Sequence, residues 1–600
     1  MTLPSTANER RELYRTREEA ARSELAQLDR VSSWIAHGRA GTFLAAAALM
    51  GLSLFERLPS WGFVAGAGFL FAYGVLAWRH EQVAKAEARA KARVELNRRG
   101  LARLEGRWHD FPSKGERFAD VGHLYTPDLD LFGQGSLFQL VDETGTRAGE
   151  EQLARWLSAP TDASEVRARQ SAVLELLGLL DFRQALVTES RLAAKDKADP
   201  HRLIEWAEGP DLLAPIGWAR PLAFVLPPVA LALYLAGLSP WYWLVLAAQL
   251  AVVALTRRHT ATFYERLCGG ESGFVRFERT FATIERQTFF DPRLLRLRAG
   301  LQSDGPAVST RFRRFSRLFA FVELRQSPQL HAVLNLALLW DVQWMFWLEA
   351  WRVLHGRHVR QWFEALAELE ALSSIAGLAH VRPDFVFPQV EPGPPRFFAE
   401  ALGHPLLDRP VTNDVVLSEG GEALLVTGSN MSGKTTLLRA MGLNTVMALC
   451  GMPVCAKALR LSQLEVLTSM RVKDSLERGV SYFYAEVQRM KAVLDAAGRG
   501  RALFLLDELF LGTNTRERQL ASRELLRLLL ATGSIGAVTT HDLALTELSG
   551  QEGFRLKNVH FRDLVEDGKM TFDYRLREGV VDTTNALRVL RLAGIPLSGE

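Results

Sequence analysis

The stretch VTGSNMSGKTTLLRAMGLN, Val426 to Asn444, decides how the C-terminal third of the chain folds. Within it, Gly428 to Thr435 reads G-x-x-x-x-G-K-T, the P-loop pattern. The apolar ALLVTG before it ends on a glycine, as a buried strand should, and TTLLRAMGLNTVMAL after it has helical apolar spacing. Strand, loop and helix thus come in the order that a phosphate cradle needs. The glycines let backbone N–H groups turn inward on a phosphate chain, and the helix N-terminus adds its positive dipole end. The nucleotide-binding residues expected are Gly428, Ser429, Asn430, Met431, Ser432, Gly433, Lys434, Thr435 and Thr436. Lys434 should reach the β- and γ-phosphates of ATP, and the Thr435 hydroxyl should take a Mg²⁺ position.

Two further segments fit this loop. In RALFLLDELFLGTNTRERQ the apolar run Leu503 to Leu506 ends in Asp507-Glu508. An acid at a strand end near a P-loop is a Walker B carboxylate, so Asp507 is the second expected Mg²⁺ residue and Glu508 the group that polarises the attacking water. The segment GAVTTHDLALTEL gives another strand, ending in Thr540-His541. A histidine there can sense the γ-phosphate and orient the water. Glu508, His541 and Lys434 are the catalytic residues expected. An exposed acidic turn or a structural histidine is the alternative for either segment alone; the series of three argues against it.

Six hundred residues imply three or more domains. A net charge of +4 provides no global basic field that demands nucleic acid. Cys268, Cys450 and Cys455 form neither a disulfide framework nor a metal-ligand pattern, which suits a reducing cytoplasm. The first apolar run comes too late for an ordinary cleaved signal peptide.

Four apolar stretches are built for a bilayer: Thr42 to Phe55, Trp61 to Trp78, Pro221 to Leu238 and Trp241 to Leu255. Each is near or just under the roughly 17–25 residues needed to span. They pair into two hairpins, with ERLPS and SP as turns. Trp61, Trp78, Trp241 and Trp243 sit at segment ends, as interfacial anchors do. Arg39, Arg79, His80, Arg220, Arg257 and Arg258 flank the hairpins, so the positive-inside rule places both ends of each in the cytoplasm. The alternative is two buried helical hairpins in a soluble core. A further stretch, HAVLNLALLWDVQWMFWL, carries Asn335, Asp341 and Gln343 and reads as a buried core helix.

Residues Asn8 to Arg39 and the basic Arg79 to Arg107 read as helices, the second as a solvated face or a juxtamembrane anchor to anionic lipid. Residues from about Leu129 to Glu208 and Thr260 to Ala379 are helical as well. RPDFVFPQVEPGPPRFF, with five prolines, reads as the linker. The expected division is 1–120, N-terminal helices with a membrane hairpin at about 42–78; 121–382, a helical lever domain with a second hairpin at about 221–255; 383–400, the linker; and 401–600, the ATPase. The fold class expected is an α/β P-loop NTPase C-terminal to an all-α lever domain, with transmembrane helical hairpins.

The C-terminal third resembles the ATPase domain of the MutS DNA mismatch-recognition family. GHPLL (Gly403 to Leu407), TGSNMSGKTTLLR with its Asn430-Met431 pair, DELFLGTNT, TTHDLALTEL and TTNALRVLRLAGIP follow the family's order. The segment GMPVCAKALRLSQLEVLTSMRVKDSLERGVSYFYAEV is similar to the one that carries the family's inter-subunit signature. Upstream, Phe132 to Leu177 resembles the start of the helical lever domain and ALAELEALSSIAGLA its return helix. The resemblance implies a homodimer with composite ATP sites, in which Ser481 touches the γ-phosphate held by the partner chain and Asn430 lines the phosphate loop. It implies DNA as a partner and mismatch repair as the setting.

The departures are as informative. A charged helix and a membrane hairpin stand where the mismatch-reading domain would be, and the family's DNA clamp is not evident. FYE at Phe263 to Glu265 mimics the mismatch-probing Phe-x-Glu in the wrong region and reads as chance. Phe510 and Leu511 stand where the family usually has small and basic residues, and no adenine-stacking aromatic is visible near VTNDVVL. The reading is therefore a MutS-like ATPase anchored in the cytoplasmic membrane, its ATP cycle moving helical levers. The alternatives are an ABC-type transporter ATPase or a membrane scaffold not acting on DNA. Against the transporter, KDSLERGVSYF stands where an LSGGQ-like signature belongs, and LSEGG at Leu417 to Gly421 precedes the P-loop. Against a non-catalytic scaffold, Lys434, Thr435, Asp507, Glu508 and His541 are all present.

Overall fold

The charged and apolar segments at the N-terminus are continuous with one another. Helix α1 (Ala7–Leu54) and helix α2 (Trp61–Leu104) form one long antiparallel hairpin, so the charged legs and the apolar tip that the sequence presents as separate pieces are single helices. A computed structural model describes residues 6–194, 200–268, 277–302, 305–323, 325, 327–429, 431–470, 482–510, 512–566 and 569–580. Helix α1 opens with a capping box: the Glu9 N–H donates to Thr6 Oγ1 at 3.2 Å and the Thr6 N–H to Glu9 Oε2 at 3.3 Å.

The base of this hairpin is locked into the body. A Cβ on Gly100 would lie 2.6 Å from the Tyr14 ring, so only glycine lets the two legs close at that point. The Tyr14 hydroxyl lies 3.1 Å from His380 Nδ1, and Arg10 Nη1 donates to the carbonyl of Ala379 at 3.1 Å. Burial, with Arg183 and Arg10 nearby, pushes the His380 imidazole down to about 3, so it is neutral and can accept from Tyr14. On the other leg, Arg103 donates to the carbonyls of Leu140 and Asp142, each at 2.8 Å. Just past α2, Gly106 (φ +73°) carries the Asp408 carboxylate against its backbone; a Cβ there would sit 2.2 Å from Asp408 Oδ2.

The helical body comprises α3 (Leu137–Val141), α4 (Arg147–Ser158), α5 (Ala163–Gly178), α6 (Leu180–Ala193), α7 (Pro200–Glu208), α10 (Glu278–Arg286), α11 (Pro292–Gly300), α12 (Val308–Glu323), α13 (Pro328–Leu338) and α14 (Trp340–Val381); between α7 and α10 it carries the second hairpin, α8 (Ala219–Leu235) and α9 (Ser239–Cys268). Helix α14 is the spine, packing on α4, α5, α7, α11 and α12. The stretch from His331 to Leu348, read as one core helix, is broken at Leu339 (φ +52°) into α13 and α14. Asp341 is buried there, 2.9 Å from His331 Nε2 and 3.6 Å from Arg325, so a core position holds. Phe263 and Tyr264 are core residues too: Phe263 packs edge-on against Trp206, and the Tyr264 hydroxyl donates to the Asp341 carbonyl at 3.0 Å.

The first hairpin runs out along α6 and α14, and the second is seated at the far end of α14. On α1, Arg17 pairs with Asp181 at 2.7 Å, and on α2, Arg89 pairs with Glu189 at 2.6 Å, so α6 runs alongside the outgoing leg. Along the same helix, Arg183 faces Gly377 and Ser190 lies beside Glu370, so α6 runs back down α14. The second hairpin is seated on the first turns of α14: Gln343 Nε2 donates to the Ala223 carbonyl at 2.6 Å, and Phe224 meets Trp347 at 6.0 Å. At the helical rise, α1 runs about 57 Å from Arg17 to Phe55, and α14 about 56 Å from Gly377 back to Trp340.

The C-terminal part contains β1 (Gln389–Glu391), β2 (Phe397–Leu402), β3 (Asn413–Leu417), β4 (Glu422–Thr427), α15 (Lys434–Cys450), β5 (Ala458–Ser462), β6 (Glu465–Ser469), α16 (Tyr482–Ala497), β7 (Ala502–Asp507), α17 (Thr515–Ala531), β8 (Ile535–Thr539), β9 (Arg555–Glu566) and β10 (Lys569–Glu578). The order β10-β9-β4-β8-β7-β6 makes a sheet that is parallel except for β10, and β1-β5-β2-β3 makes a second, mixed sheet. Strand β4 is buried at every position, as a central parallel strand covered on both faces must be. The proline-rich stretch read as a linker supplies β1 and the start of β2, with Val390 and Phe397 in the core. Its prolines flank the strands rather than interrupt them, which is how an edge strand tolerates proline.

Glu370, about three-quarters of the way along α14, is fully buried. Its Oε2 accepts from the Thr146 hydroxyl at 2.6 Å and from the Thr146 N–H at 3.2 Å, joining the spine to the N-cap of α4. Burial pushes its carboxyl up to about 7, against the pull of the Ser190 and Thr146 hydrogen bonds. Between the unfolded value and about 7 the folded chain holds a proton that the unfolded chain has released, so this group's contribution to stability falls as pH rises. Glu370→Gln should keep the acceptor and remove the titration. Chemical denaturation at several pH values should show the variant losing less stability than the wild type between pH 5 and 8.

Candidate active site

Three strand ends meet at one point because β4, β8 and β7 are parallel neighbours in register. Val426 pairs with Thr539, and Thr539 with Asp507. The loop after β4 enters α15 through Gly428 (φ +146°) and Gly433 (φ +108°), conformations that a side chain would resist. Ser432 Oγ donates to the Ser429 carbonyl at 2.8 Å and tightens the loop. Met431 is 84% exposed at its tip, and Thr436 lies in the first turn of α15.

Asp507 is held by two hydroxyls. Thr435 Oγ1 donates to its Oδ2 at 2.7 Å, and Thr539 Oγ1 donates to its Oδ1 at 2.5 Å. The same Thr539 oxygen accepts the Glu508 N–H at 3.1 Å. One buried threonine, which the sequence reading passed over in favour of its neighbours Thr540 and His541, therefore fixes both acids. Lys434 Nζ donates to the carbonyls of Gly428 at 3.0 Å and Ser429 at 2.9 Å. His541 Nε2 lies 2.8 Å from Glu508 Oε1 and 3.2 Å from Lys434 Nζ. It donates to the carboxylate in one tautomer and accepts from the ammonium in the other.

Lys434, Thr435, Asp507, Glu508 and His541 thus converge as the sequence implies. Asn430, Ser481 and Leu511 lie outside the described residues, as does TTNALRVLRLAGIP. Phe510, the departure from the family pattern, is buried, and its ring packs near Phe483 at the start of α16.

Beside the loop is a cavity of about 360 Å³, lined by Gly433 and Thr436, by His404 and Pro410, and by Phe561 and Tyr574. Phe561 and Tyr574 give this wall the aromatic rings that the sequence does not show near VTNDVVL; they come from β9 and β10, far along the chain. The register of β10 shifts between Phe572 and Leu576, and Tyr574 takes φ +54°. Asn413 holds this bulge: its Nδ2 donates to the Tyr574 carbonyl at 3.0 Å, and its Oδ1 accepts the Leu576 N–H at 2.7 Å. The clue in the sequence is therefore the asparagine of VTNDVVL, which delivers the aromatic rather than supplying it. A Cβ on Gly433 would lie 3.2 Å from the Tyr574 ring.

Residues 424–598 match the family model of MutS domain V, and residues 124–210 that of MutS domain III. The DNA mismatch repair protein MutS of Azorhizobium caulinodans is 31% identical over 523 residues, which cover 77% of this chain and 55% of that protein. The DNA mismatch repair protein MutS of Geobacillus thermodenitrificans is 31% identical over 248 residues, 39% of this chain and 26% of that protein. The DNA mismatch repair protein MSH3 of Phaeosphaeria nodorum is 35% identical over 256 residues, 40% of this chain and 22% of that protein. The chain spans between 22% and 55% of the length of these relatives. It carries MutS domains III and V, the latter an ATPase domain of the ABC type, and is distantly homologous to the MutS and MSH3 proteins.

Thr539→Val keeps the shape of the side chain and removes the bridging hydroxyl. It leaves the Glu508 N–H and one Asp507 oxygen without that partner, so denaturant titration should show a loss of about 1–3 kcal/mol.

Proposed function

We propose that this chain is a membrane-anchored, MutS-type ATPase that works as a homodimer and uses its helical body to transmit the nucleotide state. The observation that carries the reading is the Thr435–Asp507–Thr539 bridge, with Lys434, Glu508 and His541 gathered around the same strand ends. The Gly428–Gly433 loop offers its N–H groups to the phosphates of ATP, and Lys434 adds a positive charge. Glu508 orients the attacking water and draws on its proton, while His541 bridges that acid to the lysine. A hydroxyl and a carboxylate 2.7 Å apart, both oxygen donors, suit a Mg²⁺, which Thr435 and Asp507 would hold. When bound, Mg²⁺ neutralises phosphate charge. Phe561 and Tyr574 offer flat faces to the nucleobase beside Gly433 and Thr436. Dimerisation through the loop face has the support of Met431, which stands exposed at the loop tip. The family resemblance makes DNA the first ligand to try.

Membrane anchorage draws its support from the hairpins. Helices Ala7–Leu54, Trp61–Leu104 and Pro240–Leu267 are long and apolar enough to cross a bilayer, and Ala219–Leu235 is a shorter apolar helix. Their apolar side chains face outward: Phe55, Val64, Phe71 and Leu235 are each about three-quarters exposed. A soluble core would bury such residues, and contiguous exposed apolar surface marks an interaction site. Arg39 stacks over Tyr73 at 5.3 Å and Arg79 over Trp78 at 5.9 Å, a pairing that suits the headgroup level.

The tests are direct. Lys434→Ala should abolish ATP turnover, and Glu508→Gln should bind ATP while hydrolysing it orders of magnitude more slowly; unchanged turnover in both overturns the assignment. Ser481→Ala chains mixed with Lys434→Ala chains should recover activity, because both lesions can fall on one composite site and leave the other intact. After lysis the protein should sediment with membranes and stay there through alkaline carbonate washing. Recovery in the soluble fraction means that the hairpins are not anchors.

A further inference from the structure

The turn after β7 carries two side-chain-bearing residues in the left-handed region, Glu508 at φ +50° and Phe510 at φ +55°. A bulky residue rarely adopts that conformation, so the surroundings must hold it. On one side the Glu508 N–H donates to Thr539 Oγ1 at 3.1 Å. On the other, the Phe510 N–H donates to Glu486 Oε1 at 2.5 Å. Glu486 is 3% exposed, and the Phe510 ring lies 6.2 Å from that of Phe483, one turn earlier on the same helix. Helix α16 thus grips the turn through a carboxylate and an aromatic contact. Its first residue, Tyr482, directly follows Ser481.

We propose that Glu486 is a positioning residue for ATP hydrolysis: it holds the turn that aims Glu508 and ties that turn to α16, so that the helix start and the acid move as one unit. The inference rests on the ATPase reading above. The Glu486 carboxyl supplies the acceptor that the Phe510 N–H needs away from water. Without it, the strained turn has a ready escape into an ordinary backbone conformation, and Glu508 leaves its place beside His541. The phosphate loop and the base cavity lie on other elements and are untouched.

The test uses the full-length chain in detergent, with ATP affinity, KM and kcat measured separately. Glu486→Leu should lower kcat on the order of 100-fold, as a displacement of about an ångström can, with ATP affinity and KM unchanged. Glu486→Gln still offers an acceptor oxygen and should keep most of the wild-type rate. Phe510→Gly removes the strain, since glycine adopts the left-handed region freely; in that background Glu486→Leu should have little further effect on kcat. The inference is overturned if folded Glu486→Leu turns over at the wild-type rate, or if Glu486→Gln is as slow as Glu486→Leu. It is also overturned if the Leu substitution costs the same in both backgrounds. Should Glu486→Leu alone fail to fold, the Gln variant and the Phe510→Gly/Glu486→Leu double variant decide. A wild-type chain that binds ATP without turnover overturns the ATPase reading itself, and this inference with it.

Discussion

A carboxyl group with no water around it must be satisfied by its own chain, and Glu370 imposes that condition in the C-terminal third of the longest helix in the body. Its bonds to Thr146 fix α14 against the start of α4, and Ser190 brings in α6. Gly149 repeats the demand sterically, since a Cβ there would lie 2.2 Å from Glu370 Oε2. With α14 pinned in its C-terminal third, its two ends are placed as well. One end carries the second hairpin through Gln343 and Trp347; the other carries His380 and the entry to the sheets. The site inherits its geometry from this frame, because α5 and α15 pack together beneath the parallel sheet.

What the sequence made legible was local. The β4–loop–α15 unit, the acidic end of β7 and the histidine after β8 all announce themselves within short windows, because each is a strand end joined to its own functional residue. Thr539 was harder to see. Its role depends on the neighbour relation of β7 and β8, which no window of sequence contains. Tyr574 was hidden for a similar reason: a bulge in β10, gripped by an asparagine from β3, brings it to the loop. Prolines misled between Arg382 and Phe398, since their density signals a linker while the residues between them alternate in and out of a sheet. The hairpin legs showed the opposite effect. A change from charged to apolar composition reads as a boundary, yet the helical hydrogen bonds run through it unbroken.

The two halves of the site differ in how they are held. The phosphate loop is shaped by glycines and short hydroxyl bonds, so its form is intrinsic. The Glu508 turn is shaped from outside, by Thr539 and by α16. An acid whose backbone depends on neighbouring elements is open to control by them, whereas a loop shaped by its own glycines is not.

The anchoring of the first hairpin carries a mechanical consequence. Its base touches the ATPase side at two places: Arg10 and Tyr14 on the end of α14, and Gly106 on Asp408. Asp408 lies between Leu407 and Arg409, both in the wall of the cavity beside the phosphate loop. The tip lies about 57 Å of helix away from Arg17, so a tilt of about 5° at the base would sweep the tip through about 5 Å. Sub-ångström adjustments at the base would thereby be magnified into displacements of several ångströms at the tip. Linkage runs both ways: a load that tilts the tip would be returned, divided by the same geometric factor, as a displacement at the cavity wall.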